Sequence, residues 1–162
     1  MKYFAKAILL VIWGASLSLD AAPVEISVKL SPAGSFVIKG ESVEGSASVQ
    51  GNTVKATSIS IPTQSLKTGI NLRDKHMLER LESDKYPTVT LLTGEGSAGQ
   101  GKGTIKIKNI EKPISGTYSI EKDHISAQFK LNLSDFAIEK IRYLSVGVKD
   151  EVEVTVLVPI QK

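Results

Sequence analysis

The sequence predicts an all-β, antiparallel fold. Residues 124–133 alternate apolar side chains at odd positions with polar ones at even positions, which is the period of a strand with one wet face. Connectors such as Gly51-Asn52 and Lys122-Asp123 are short. Short connectors suit antiparallel hairpins, whereas parallel pairs need long crossovers that this chain does not offer.

Strand-like runs cover most of the chain after residue 23. In order they are residues 24–30, 35–40, 44–50, 53–61 and 88–93, then runs around Ile105 and Ile107, Tyr118 and Ile120, residues 124–133, and Val152 to Val156. Edge strands invite aggregation, and a closed barrel removes them. We therefore expect an antiparallel eight-stranded β-barrel, whose interior either fills with side chains or holds one small ligand.

The segment of residues 65–87 interrupts the strands with a helical pattern. Spacings of three to four residues, typical of a helix, recur at Leu72, His76, Leu78 and Leu81. Asn71 is the expected N-cap, Asp74 follows it three places later, and Pro87 prevents the helix from continuing. The sequence therefore predicts a short helical flap between strands.

Three flap residues, Arg73, Asp74 and His76, have two interpretations. A metal site would combine His76 with Asp74 and Glu79, but no second histidine follows His76 at i+4. The favoured interpretation is structural: these three residues hold the flap in place by local hydrogen bonds and charge pairing. We expect no metal site.

The first 21 residues have the pattern of a cleavable secretory signal. Lys2 and Lys6 are followed by thirteen uncharged, mostly apolar residues, 7–19. A membrane span needs about 20 such residues, so export with cleavage after Ala21 is favoured and no stable span is expected afterwards. Residues 22–162 then form one domain, which suits a single core.

Charge and cysteine content exclude several classes of function. Removing residues 1–21 lowers the totals from 20 basic and 17 acidic side chains to 18 and 16, because Lys2, Lys6 and Asp20 are lost. Nucleic-acid binding needs clustered basic residues, whereas these charges alternate in sign. The chain has no cysteine, which excludes disulfides, thiolate metal sites and cysteine nucleophiles.

No catalytic constellation or cofactor site is expected either. His76 and His124 are far apart in the sequence, and there is no Gly-x-Ser-x-Gly elbow. The glycine cluster of residues 94–103 superficially resembles a phosphate loop, which requires a helix directly after the glycines. Residues 104–107 have a strand pattern instead, so the cluster is predicted to be a flexible hairpin loop.

Several ordered motifs resemble one family. They are Ser65-Leu66-Lys67-Thr68-Gly69, Arg73-Asp74-x-His76-Met77, Asp84-Lys85-Tyr86-Pro87-Thr88-Val89, the strand 103–113 ending in Lys112-Pro113, Ser134-Asp135-Phe136, and Val146-x-Val148-Lys149-Asp150-Glu151. Their order and spacing closely resemble the YceI-like family, across most of residues 36–158. One departure is Ala137, since a glycine usually follows the Asp-Phe pair in this family.

The resemblance implies a lipocalin-like barrel around an elongated apolar cavity that holds a polyisoprenoid or similar amphiphile non-covalently. It implies an exported carrier in the periplasm, with secretion as an alternative. A structural or adhesion β-domain and an enzyme acting on lipid are the competing functions, and the sequence leaves a homodimer open. Tyr86, Tyr118 and Tyr143 are the expected polar handles. The expected ligand contacts are inward apolar positions: Ile38, Ile59, Ile61, Leu91, Ile105, Ile107, Tyr118, Ile125, Phe129, Leu131, Phe136 and Val154.

Overall fold

The computed structural model describes residues 22–139 and 141–162, which form strands, one α-helix and two short 3₁₀ turns. The predicted signal, residues 1–21, lies outside the described residues. The strands are β1 (Val24–Ser31), β2 (Ser35–Gly40), β3 (Ala47–Gln50), β4 (Thr53–Pro62), β5 (Leu66–Lys67), β6 (Thr88–Ser97), β7 (Gln100–Ile107), β8 (Ile110–Ile120), β9 (His124–Asn132), β10 (Arg142–Tyr143) and β11 (Val146–Pro159). Helix α1 spans Asn71–Arg80, and the 3₁₀ turns span Thr63–Ser65 and Leu133–Phe136.

All strands belong to one antiparallel sheet, in the order β3-β4-β6-β7-β8-β9-β11-β1-β2-β5, with β10 paired to β11. The sheet curls into a lipocalin-like half-barrel, so the predicted all-β antiparallel fold is confirmed. The predicted number of eight strands is wrong, because the sheet has eleven. Nine of the strands have four residues or more, whereas β5 and β10 have two each. Two residues are too few to show alternation. In the described residues the two edge strands, β3 and β5, pair with β4 and β2 and not with each other, so closure is partial.

Strand β11 shows how alternation builds the core. Its residues Val152, Val154, Val156 and Val158 are buried and join one hydrophobic cluster with Val24, Val28, Ile59 and Ile125. On the wet face, the Lys130 ammonium lies 3.0 Å from Glu151, and the Lys29 ammonium lies 3.4 Å from Glu153. Exposed ion pairs of this kind contribute little to stability, so the apolar face holds β11 in place.

A second cluster fills one end of the half-barrel. It contains Ile105, Ile107, Phe136 and Ile138, and Phe136 is only 1% exposed. The 3₁₀ turn that carries Phe136 is tied to β11, because the carboxylate of Asp150 accepts hydrogen bonds from the Ser134 backbone N–H at 2.8 Å and the Ser134 hydroxyl at 2.7 Å. The Ser134 and Asp150 motifs therefore position a core phenylalanine.

The predicted helix is confirmed, but its predicted cap is wrong by one residue. Ile70 occupies the N-cap position without a side-chain bond, and Asn71 is the first helical residue. The loop before α1 is fixed differently, because the buried carboxylate of Asp74 accepts hydrogen bonds from the Thr68 hydroxyl at 2.6 Å and the Thr68 backbone N–H at 2.7 Å. The Thr68 hydroxyl bond is the main cause that lowers the pKa of Asp74, although burial opposes it.

The base of the flap is closed by Thr63 and Pro87. Both the backbone N–H and the hydroxyl of the buried Thr63 donate to the Pro87 carbonyl, at 2.9 and 3.0 Å. Gln64 also donates to the Ser83 hydroxyl at 3.2 Å. The flap therefore leaves the sheet and returns to it at one point. In the part of the chain that the structure describes, no helix is long and apolar enough to cross a bilayer.

Ala137 has a left-handed backbone, with φ of 54°, directly after the 3₁₀ turn. A Cβ in this conformation costs about 1–2 kcal/mol, whereas glycine adopts it readily. We expect Ala137→Gly to raise the free energy of unfolding by about 0.5–1 kcal/mol after the extra entropy of an unfolded glycine is subtracted. Denaturant titration of both proteins measures this change.

The matched control for this prediction is Ala33→Gly, because Ala33 is also exposed and in a turn but is not among the residues with positive φ. It should leave stability unchanged or slightly lower it. A loss of stability in Ala137→Gly equal to that in Ala33→Gly would contradict the strain argument.

Candidate functional site

An apolar groove lies inside the half-barrel, between the β4–β6–β7–β8 wall and strands β9 and β11. The cavity volume of this groove is about 120 Å³, and the groove is open to solvent along part of its length. Seven of the predicted ligand contacts line it: Ile59, Ile61, Leu91, Ile105, Tyr118, Ile125 and Phe129. The lining is therefore suited to an apolar occupant and offers few polar groups.

The other five predicted contacts, Ile38, Ile107, Leu131, Phe136 and Val154, are not among the lining residues. Ile38 and Val154 pack in the first cluster, Ile107 and Phe136 belong to the second, and Leu131 packs against both. They face inward as predicted. However, the interior around them is occupied by neighbouring side chains, so period-two alternation identified inward positions without separating cavity wall from filled core. Ligand contact stays a prediction for all twelve.

Glycines form one part of the lining that sequence reasoning missed, and apolar side chains such as Val54, Val89 and Ile114 form another. Inward positions on β6, β7 and β8 carry Gly94, Gly96, Gly101, Gly103 and Gly116. Residues 94–103, predicted to be a flexible hairpin loop, instead belong mostly to β6 and β7, and the turn between them is only Ala98 and Gly99. The signal was present: Gly94 and Gly96, and then Gly101 and Gly103, alternate with the period of a strand.

These glycines meet across the strands. Gly94 pairs with Gly103, and Gly101 pairs with both Gly96 and Gly116. A Cβ at Gly103 would overlap the carbonyl oxygen of Thr93, and one at Gly116 would overlap that of Gln128. The backbones therefore approach too closely for any side chain. The groove lies on this side of the barrel because five inward positions contribute no side-chain volume.

Tyr118 lines the groove towards one of its ends. It is half-buried, and its hydroxyl donates to the carbonyl of Asn52, in the turn between β3 and β4, at 3.1 Å. Of the other expected polar handles, Tyr86 does not line the groove and has the Lys85 ammonium 5.1 Å from its ring centre. The side chain of Tyr143 lies outside the described residues.

The predicted flap residues lie away from the groove lining. Arg73 stacks on an aromatic ring of β2, since its guanidinium carbon lies 4.1 Å from the centre of Phe36, a cation–π distance. Asp74 is held by Thr68, and His76 is exposed. Arg73 and Asp74 thus hold the flap through an aromatic ring and a threonine.

The structure offers no obvious metal site in the residues that it describes, where no cluster of three or more His, Asp or Glu side chains converges. His124 instead pairs locally, with its Nδ1 2.7 Å from the carboxylate of Asp123. The apolar groove is consequently the best-formed candidate site.

Known proteins share both the sequence pattern and the architecture. Residues 17–159 match the YceI-like domain family. Crystal structures with a similar fold include Burkholderia cenocepacia BcnA, with a TM-score of 0.65, 11% identity and coverage of 85% of this chain and 96% of that one. A second is the polyisoprenoid binding domain from Saccharophagus degradans implicated in plant cell wall breakdown, with a TM-score of 0.61, 14% identity and coverage of 84% and 90%.

A third similar structure is the Campylobacter jejuni YceI protein, with a TM-score of 0.55, 17% identity and coverage of 77% of this chain and 84% of that one. At these identities the structures establish a common fold. No curated protein shows significant sequence similarity to this chain. The family match extends over nearly the whole chain, and the half-barrel agrees with it. The protein belongs to the YceI-like family.

Proposed function

We propose that the protein is an exported carrier that holds a polyisoprenoid, or a similar long apolar amphiphile, non-covalently in its groove. The observation that carries this proposal is an apolar groove built into the wall of the half-barrel by inward glycines. The similar structure from Saccharophagus degradans is described as a polyisoprenoid binding domain. Export rests on the secretory pattern of residues 1–21, and we propose the periplasm as its destination.

The dimensions of the groove favour a thin, flexible chain. Its cavity volume of about 120 Å³ is slightly smaller than that of the engineered ~150 Å³ lysozyme cavity that binds benzene. A long chain therefore has to extend out through the open side of the groove or to push its walls apart. Burial contributes about 0.8 kcal/mol per CH₂, so such a chain needs few polar contacts to bind.

The lining also argues against catalysis as the main role. The two histidines, His76 and His124, are both absent from the groove lining. Burial of an apolar chain requires no reactive group, whereas turnover of a lipid would require a nucleophile or base near it. An apolar groove whose lining contains neither histidine therefore suits a carrier better than a lipid-processing enzyme.

Phe129 tests whether the groove is lipid-filled or only loosely packed. It lines the groove and packs against both hydrophobic clusters. In a protein without lipid, Phe129→Ala should cost roughly 3–5 kcal/mol through lost transfer energy and a new cavity. In lipid-loaded protein the chain can occupy the space, so the loss should be much smaller. Thermal melts of delipidated and reloaded protein measure the difference.

The outward control is Lys130→Ala on the same strand, since Lys130 is exposed and pairs with Glu151. It should change little in either form. Equal destabilisation by Phe129→Ala in both forms, with no lipid recovered from wild type, would overturn the carrier and favour a structural or adhesion domain.

Arg73 tests whether the flap acts as a lid. The flap follows β5 and runs into β6, whose Val89 and Leu91 line the groove, while Arg73 reaches Phe36 on β2. Arg73→Ala removes this contact at a partly exposed position, where stability usually changes by about 0.5 kcal/mol or less. We expect faster release of bound lipid with a nearly unchanged melting temperature, and Arg80→Ala, at the exposed end of α1, is the control. Unchanged release with a collapsed melting temperature would make Arg73 purely structural.

A further inference from the structure

The side chain of Tyr118 connects two strands that are not neighbours in the curled sheet. Its backbone belongs to β8, yet its hydroxyl reaches the carbonyl of Asn52 beside β4, 66 residues earlier in the chain. In the sheet order, β6 and β7 lie between these two strands. A tyrosine side chain can bridge them only because the sheet curls sharply here, and its ring lies over the glycines of β6 and β7 on the way.

The ring has a seat that excludes other side chains. A Cβ at Gly96 would overlap Cε1 of Tyr118 and would lie 3.0 Å from both Cδ1 and Cζ. A Cβ at Gly101 would lie 3.6 Å from Cδ1, which is ordinary contact. One edge of the ring therefore rests directly on Gly96 of β6, and Gly101 of β7 lies beside it. Aromatic side chains are known to cover glycines across strands in this way.

The two ends of the groove are built by different means. At one end the second hydrophobic cluster, with Phe136 at 1% exposure, is held by the bonds from Ser134 to Asp150. Towards the other end the ring of Tyr118 lines the groove together with Ile125 and Val158, and it is held by one hydrogen bond and by its contact with Gly96. The Tyr118 end is therefore the one at which a single substitution can lengthen the groove.

We propose that Tyr118, seated on Gly96, is the stop that limits the length of the apolar chain the groove accepts. The proposal rests on the proposed carrier function and names a specificity determinant within it. The aromatic ring, which blocks the groove, is the part that acts. Its hydroxyl already donates to the protein backbone, so it serves to hold the ring and not to bind a ligand headgroup.

The experiment measures the dissociation constants of farnesol, geranylgeraniol and solanesol, three prenyl alcohols of increasing length, for delipidated protein. Wild type should bind geranylgeraniol more tightly than farnesol and gain nothing further with solanesol. Tyr118→Ala should bind solanesol about tenfold more tightly than wild type does, equivalent to ~1.4 kcal/mol, with farnesol nearly unchanged. Tyr118→Leu should shift in the same direction and substitutes for Tyr118→Ala if that variant does not fold.

Two further variants separate the ring from the hydroxyl and from general effects. Tyr118→Phe retains the ring and should keep the wild-type order of affinities, while the outward Lys130→Ala should match wild type throughout. If Tyr118→Ala and Tyr118→Leu keep the wild-type length preference, the stop is overturned and the carrier function stands. If Tyr118→Phe binds solanesol as tightly as Tyr118→Ala does, the ring alone does not block the groove and the stop is overturned. Wild type that binds none of the alcohols would overturn the carrier function itself.

Discussion

The close approach of backbones at Gly103 and Gly116 is the constraint on which the rest of the structure depends. A side chain at either position would collide with a carbonyl oxygen of the neighbouring strand, so only glycine permits β6, β7, β8 and β9 to meet at this spacing. Glycines in strand interiors are one of the devices by which sheets bend. The bend brings Tyr118 within reach of Asn52, and the missing side chains leave the groove open on this side.

Packing and hydrogen bonds in the rest of the barrel maintain the shape of that groove. Large inward residues fill the other parts in two clusters joined by Phe129, which fixes where the cavity ends. Two carboxylates each accept two hydrogen bonds, Asp150 from Ser134 and Asp74 from Thr68. These bonds position the turn that carries Phe136 and the loop before α1. Both carboxylates lie in the motifs that resemble the YceI-like family, and in this chain those motif positions hold a turn and a loop in place.

Much of the fold could be predicted because alternation and local signals decide it. The strand of residues 124–133 and the helix that ends before Pro87 can be recognised from the sequence pattern alone. The two-residue strands β5 and β10 are not, since they exist only through pairing with β2 and β11. The N-cap of α1 could not be placed from the sequence, because no side chain caps this helix. The loop before it is held by Thr68, which donates to Asp74 six residues later. Ile107 and Ile105 look alike in the sequence, yet only Ile105 lines the groove, because cavities depend on what neighbouring strands leave empty. The glycines of residues 94–103 suggest a flexible loop by composition, but their period of two is the stronger signal and indicates strands.

The central claim is that the groove holds a long apolar molecule in an exported protein. Native mass spectrometry of the protein from the periplasm of its own host, purified without delipidation, tests this most directly. The account predicts a chain that begins at or within about a residue of Ala22 and carries an additional apolar mass that is released when the protein unfolds. A processed protein with no bound mass in any preparation would contradict the carrier, and a full-length chain found in the cytosol would contradict export.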